Sequence, residues 1–296
     1  MKVVVSGASG LLGSALVPAL ERRGHEVLRL VRREARDPAE VSWDPAAGTI
    51  DAAGLARVDA AVCLSGANLD RWWTRERKRE IRDSRVSSAS LLASTVASLE
   101  PRSSVFVSAG GVGIYGDRGD EILTEESALG TGFLADVGRA WEAAAEPART
   151  AGIRVVTFRQ GVVLTRDGGA LRRMLLPFKL GLGGRVGSGR QWWSWVALDD
   201  LVSGYLHVLE GELAGPVNLT SPSPATSTAF TKALGRALHR PTVLPMPAYG
   251  IKTLFGERGE AVLLEGQRTL PARLLDAGFT FAFPDLDAAL EHALAA

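Results

Sequence analysis

Short apolar runs alternate with longer amphipathic stretches through the first two-thirds of the chain. Residues 1–5 are such a run. It leads straight into Ser6-Gly7-Ala8-Ser9-Gly10-Leu11-Leu12-Gly13 and then into Leu12, Leu16 and Leu20 at helical spacing. Gly24 announces a second strand at 25–31, and further strands are predicted at 41–43, 59–64, 104–107 and 154–158. Residues 75–99 read as a long helix with Ser88, Leu91, Leu92, Thr95, Val96 and Leu99 on one face, and another helix is predicted near 136–150. Alternating strands and helices predict an α/β fold with a doubly wound parallel sheet, whose ligands lie at the carboxyl ends of the strands.

From Asp167 the texture changes. Gly168-Gly169, Gly181-Leu182-Gly183-Gly184 and Gly187-Ser188-Gly189 crowd one stretch, while a helix at 199–209 and a strand at 216–219 read as a return to the sheet. The expected division is a dinucleotide-binding domain over 1–166 and 196–221, with a smaller substrate lobe over 167–195 and 222–296. Asp199-Asp200 is expected to cap the helix that follows.

The glycine turn carries the first chemical signal. Gly7 permits a tight turn, Gly10 lets backbone approach a pyrophosphate, and Gly13 lets the first helix pack closely. The helix N-terminus then offers unpaired N–H groups and a partial positive charge to phosphates. The end of the second strand sorts the dinucleotide. An acid there accepts the ribose 2′-hydroxyl of NAD, whereas arginine meets the 2′-phosphate of NADP. This chain reads Val31-Arg32-Arg33 with no acid before Glu34, so NADP(H) is the expected cofactor and Arg32 its best single contact. Small residues at Leu64-Ser65-Gly66-Ala67 suit a stretch of backbone passing beside the cofactor.

Composition narrows the partners. A net charge of +1 gives no global field for nucleic acid or an anionic membrane, and the mixed-sign run at 75–80 reads as a solvated helix face. One cysteine, Cys63, excludes an internal disulfide and fits a reducing compartment. The first residues lack a signal peptide's apolar stretch, no run approaches a membrane span, and a soluble cytoplasmic protein is expected. The four histidines have no metal-like neighbours, so no metal centre is predicted. The oligomeric state is left open.

Several separated motifs together resemble one lineage. They are Gly7/Gly10/Gly13, Leu64-Ser65-Gly66, Arg71-Trp72 with Ser84-Arg85, Tyr115-Gly116-Asp117, Arg159 with Gly161-Val162-Val163-Leu164, the glycines at 184–189, and Asp199-Asp200. With Glu265-Gly266-Gln267-Arg268, Pro271, Gly278-Phe279 and Phe283-Pro284, the chain resembles atypical short-chain dehydrogenase/reductases of the NAD-dependent epimerase/dehydratase family, with that group's small C-terminal domain. Some of its members carry a cell-division-inhibitor label. The resemblance implies a Rossmann-type fold and cofactor contacts from Gly7, Gly10, Leu11, Leu12, Arg32, Leu64, Ser65, Ser84 and Arg159. Ser9, Gly66, Ser108 and Gly161 complete the candidate cofactor set. For Arg159 two readings stand, a phosphate or ribose contact and a salt bridge to a buried acid.

The usual proton-transfer set of the superfamily is missing. Four residues after Tyr115, Tyr205 and Tyr249 stand Gly119, Leu209 and Thr253, so the chain has no Tyr-x-x-x-Lys. Phe133 and Val137 occupy the places of the phenol and the lysine, and Ala109-Gly110-Gly111 the region of the serine. Tyr115 is the remaining catalytic candidate, although an unperturbed phenol is a poor base at neutral pH. Trp72, Gln191 and Trp192 are candidate substrate contacts, since flat aromatic faces suit a ring-bearing molecule. Two functions follow: an NADP(H)-dependent oxidoreductase or epimerase-like enzyme acting on a carbonyl or sugar-like substrate, and an NADP(H)-binding regulator or scaffold without chemistry.

Overall fold

A computed structural model describes residues 1–295. The apolar runs become β1 (Lys2–Ser6), β2 (Glu26–Val31), β3 (Glu40–Asp44), β4 (Thr49–Ile50), β5 (Ala60–Cys63) and β6 (Val105–Ser108), followed by the strands Arg154–Gln160 and Gly215–Leu219. All eight join one sheet in the order Gly215–Leu219, Arg154–Gln160, β6, β5, β1, β2, β3, β4. From β1 the chain builds outward through β2 and β3, then returns to the other side of β1 with β5 and β6. The strand order therefore reverses between β1 and β5, where doubly wound sheets open a crevice at their carboxyl edge. The pairs β1–β2, β1–β5, β2–β3 and β5–β6 are parallel. The exception is the β3–β4 pair, an antiparallel edge hairpin joining Trp43 to Ile50, too short to leave a periodic signal in sequence.

Two helices frame the crevice strands. The helix α1 (Leu11–Arg22) buries Gly13, Leu16, Val17, Ala19 and Leu20. The helix α2 (Arg75–Ser98) starts at Thr74, whose hydroxyl caps it by accepting from the Arg77 N–H. The expected α2 face is present in Ser88, Leu92, Thr95 and Val96, and Ala89 and Ala93 widen it. Ala89, Leu92, Ala93 and Val96 form one apolar core with Val4, Leu28, Leu30, Ala61 and Phe106 of the sheet. The helix expected near 136–150 is two helices, Phe133–Ala143 and Glu146–Thr150, because Pro147 is tolerated only in a first turn and so starts a new helix.

The chain clusters into two compact units, one of Met1–Gly110, Val137–Phe158 and Val202–Pro216, the other of Gly111–Asp136, Arg159–Leu201 and Val217–Ala296. The second has its own core around Trp193, Trp195, Phe230 and Leu234. Its glycines answer to backbone crowding: a Cβ on Gly184 would lie 1.5 Å from the Leu244 carbonyl oxygen. Asp199 and Asp200 lie inside the first turn of the helix Leu198–Glu210 and do not cap it. Asp200 instead accepts from the N–H groups of Ala282 and Phe283, at 2.6 and 3.0 Å, and so fastens the C-terminal segment. Among the described residues no helix is long and apolar enough to cross a membrane.

A further steric constraint lies at α1. A Cβ on Gly13 would stand 2.3 Å from the Gly7 carbonyl oxygen and 2.6 Å from the Ala8 Cα, both backbone atoms that cannot swing away. Gly→Ala inside a helix ordinarily gains about 1 kcal/mol. Here Gly13→Ala is expected to lose about 1–3 kcal/mol through overpacking, read as a lower Tm in thermal denaturation.

Candidate functional site

Parallel register places the residues that follow β1, β2, β5 and β6 along one crest. Ser6 is level with Leu30 on β2 and Cys63 on β5, and Cys63 is level with Ser108 on β6. After Ser6, Gly7 turns at φ +73°, in the left-handed region that glycine tolerates, and a Cβ there would press to 3.1 Å on the Leu64 backbone. The Gly10 N–H donates to the Gly7 oxygen at 2.9 Å and closes the turn. Gly10 is also the N-cap of α1, and no side chain caps that end. Amides at Leu11 and Leu12 are thus left to an external acceptor, in the arrangement that suits phosphate oxygens. Ser9 and Gly10 are exposed, with Leu11 and Leu12 half-buried.

The two arginines after β2 have separate fates. Arg33 forms a bidentate pair with Glu40, at 2.8 and 2.7 Å. That hydrogen bond, with help from the Arg36 N–H, holds the Glu40 carboxyl down at about 2. The carboxylate that could serve a ribose hydroxyl is therefore already engaged. Arg32 is exposed and its guanidinium has no hydrogen-bond or ion-pair partner among the described residues.

On the other side of β1, the Leu64 N–H donates to Ser6, at its carbonyl and hydroxyl oxygens, and sets Leu64-Ser65-Gly66 beside the glycine turn. Ser84, expected to touch the cofactor, braces this loop: its hydroxyl accepts from the Ala67 N–H at 2.9 Å and donates to the Ile81 oxygen. Arg85 is a participant that the motif reading named without a role. Its guanidinium bonds to the Ala67 and Ile81 oxygens, lies 5.0 Å from the Trp141 ring, and would collide with a Cβ on Gly66. Desolvation, and secondarily Arg77, pull Arg85 down to about 10. A cation that long, four residues beyond a buried helix position, gives no sequence signal of the loop it supports. Ser108 is buried, with its hydroxyl on the Ala109 oxygen.

Other candidates lie in the second unit, and there the expectations need correcting. Tyr115 is fully buried: its hydroxyl donates to Asn218 Oδ1 at 2.7 Å and accepts from Arg159 at 2.9 Å. Burial raises the phenol further above neutrality. The hydroxyl proton is held by Asn218 and the side chain is shut away from solvent, so Tyr115 is part of an internal network. Arg159 is buried too, over the Tyr115 ring at 5.0 Å and donating to the Glu125 carbonyl, so it joins this network. Gly161 is required because a Cβ would stand 2.7 Å from the Ser194 oxygen. Gln191 donates its amide to the Val186 and Leu263 oxygens, and Trp192 donates to Asp120 with Arg268 over its ring. These two brace the unit. Of the proposed substrate contacts only Trp72, 54% exposed, presents an open ring.

The crest is that of a dinucleotide-binding sheet, and comparison with known proteins gives its family. Residues 3–219 match the NAD dependent epimerase/dehydratase family, and residues 246–293 match a domain of unknown function, DUF1731. The chain belongs to the NAD-dependent epimerase/dehydratase family. It is 43% identical to an epimerase family protein of Mycobacterium bovis, Mb2239, over 98% of this chain and 97% of that one. The crystal structure of human epimerase family protein SDR39U1 with NADPH superposes with a TM-score of 0.90 at 36% identity, covering 99% of each chain. A nucleoside-diphosphate sugar epimerase from Corynebacterium glutamicum superposes at 0.82 and 37% identity, over 99% of this chain and 58% of that one.

Two measurements check the buried network. Tyr115→Phe leaves Asn218 and Arg159 each short of a partner and is expected to cost about 1–3 kcal/mol in denaturant unfolding. Glu125 accepts from the Asn218 and Arg273 N–H groups, yet burial raises its carboxyl above the ordinary range. The folded state therefore binds that proton more tightly than the unfolded chain does. Its stabilising effect is full below the ordinary carboxylate range and falls as pH rises through it toward the folded value. Glu125→Gln keeps an acceptor and removes the titration, so the Tm of the unmodified protein relative to the variant falls as pH rises above about 4.

Proposed function

We propose that this chain binds NADP(H) and acts as an oxidoreductase or epimerase-like enzyme on a carbonyl or sugar-like substrate. The observation that carries the cofactor reading is the sorting of the two arginines: Arg33 neutralises Glu40, which leaves Arg32 unpaired for a 2′-phosphate. The cradle fits the rest of the molecule, since Gly7 and Gly13 keep open a space that side chains would fill, and the uncapped α1 N-terminus offers amides to the pyrophosphate. NADPH in the human relative's structure supports the same assignment. Leu64, Ser65 and Gly66, held by Ser6, Ser84 and Arg85, form the second wall. When bound, the nicotinamide supplies a hydride donor or acceptor. What the chain's residues contribute is binding and orientation. The proton comes from a group other than Tyr115, whose hydroxyl is committed to Asn218 and Arg159.

That last point also favours a second reading. With Phe133 and Val137 in place of the tyrosine and lysine, a protein that holds NADP(H) and signals its presence without turnover accounts for the same cradle. Saturable NADPH binding together with no NADPH oxidation across a broad panel of aldehydes, ketones and nucleotide sugars would select it. Stereospecific oxidation with any member of the panel selects the enzyme.

The cofactor assignment has its own check. Arg32→Ala is expected to weaken NADPH roughly 10- to 100-fold, the loss of one charge-assisted contact, while NADH affinity stays within about 2-fold. Equal weakening of both, read by fluorescence titration, excludes the 2′-phosphate contact.

A further inference from the structure

The overall charge of +1 conceals a strong segregation. Residues 168–198 and 217–256 contain nine Lys and Arg and no Asp or Glu, which leaves 25 cations against 33 acids in the rest of the chain. The two stretches lie side by side in the second unit. The Leu244 N–H donates to the Gly183 oxygen at 3.3 Å, the Met246 N–H to the Arg185 oxygen at 2.8 Å, and Arg240 to the Lys179 oxygen at 2.9 Å. Along this seam large apolar side chains stand in solvent: Leu180 is 65% exposed, Val243 75% and Tyr249 75%, with Leu176, Leu182 and Leu244 also open. Surface apolar residues scattered singly need no explanation, but a contiguous set does.

Three further properties of the seam agree. A basic hollow is lined by Lys232, Arg236, His239, Arg240 and Thr242, the last of these followed in the chain by Val243 and Leu244. Arg236 is paired with Asp287, and Arg240 is bonded to backbone oxygens, so Lys232 is the simplest cation there to meet a ligand. Prolines at 241, 245 and 247 carry no N–H, and the Leu244 and Met246 N–H groups are already bonded. The segment 241–247 thus presents apolar side chains with few unsatisfied amide donors, as entry into a low-dielectric layer requires.

We infer that this seam docks the protein reversibly on an anionic lipid surface, with Leu180, Val243 and Leu244 entering the headgroup boundary and the surrounding cations facing lipid phosphates. Apolar area and basic charge act together in such binding, and salt screens only the second. A second copy docking by this same face would meet the same cations and be repelled by them, so charge favours an anionic lipid surface over a symmetric pair.

Co-sedimentation of the full chain with vesicles tests this. Phosphatidylcholine vesicles with about one-third phosphatidylglycerol are expected to bind at least ~10-fold more protein than pure phosphatidylcholine, with binding reduced as salt rises. Leu180→Ser with Val243→Ser, and separately Lys232→Glu with Arg185→Glu, should each abolish most of it at unchanged Tm. The inference is overturned if the protein stays in the supernatant, if both vesicle types bind equally, if either variant pair binds as the unmodified protein does, or if light scattering shows a dimer that the serine pair dissociates. Activity toward small substrates plays no part in these readings, so they stand apart from the proposed chemistry.

Discussion

The contact of Gly13 with the Gly7 carbonyl governs the site. It brings the first turn of α1 to within van der Waals limits of the turn after β1, so the helix begins at the sheet crest and not a few ångströms above it. Every later feature of the crest depends on that placement. Gly7 in turn lies against the Leu64 backbone, which fixes the gap between the two strands at which the sheet order reverses. A phosphate site built from helix amides works only when the amides are both uncapped and held still, and here steric exclusion does the holding.

Charge pairing decides the remaining chemistry by removing candidates. Arg33 and Glu40 cancel each other and Arg32 is left over. Arg85 is held among carbonyl oxygens and the Trp141 ring, with no acid paired to it among the described residues, and it stiffens the loop at Gly66. In the second unit, Tyr115, Arg159, Asn218 and Glu125 are joined by hydrogen bonds in the interior, with Glu125 Oε2 left without a hydrogen-bond partner. Buried polar groups without partners are costly, so such a network favours one arrangement of its unit.

The same distinction between total and distribution applies to the surface. A sum of +1 argues against electrostatic attraction, yet two acid-free stretches joined by hydrogen bonds bring cations and exposed apolar side chains together. Neither stretch is unusual alone. Their juxtaposition through the hydrogen bonds at Gly183 and Arg185 makes the face.

Local patterns were enough for much of this molecule. Strands β1, β2, β5 and β6, the long α2, the glycine turn and the family were legible, because each depends on residues close together in sequence: periodicity, a turn glycine, a cap. The break at Pro147 belongs in the same class, although helical spacing on either side masked it. The fate of polar side chains was not legible. Whether Tyr115 is open or part of a buried network, and whether Gln191 and Trp192 are free or bonded within the unit, are set by partners 72 to 103 residues away. Sequence determined the cradle, since sterics at glycine act over a few bonds; only the tertiary structure decided who remains available to use it, since hydrogen bonds are allotted across the whole fold.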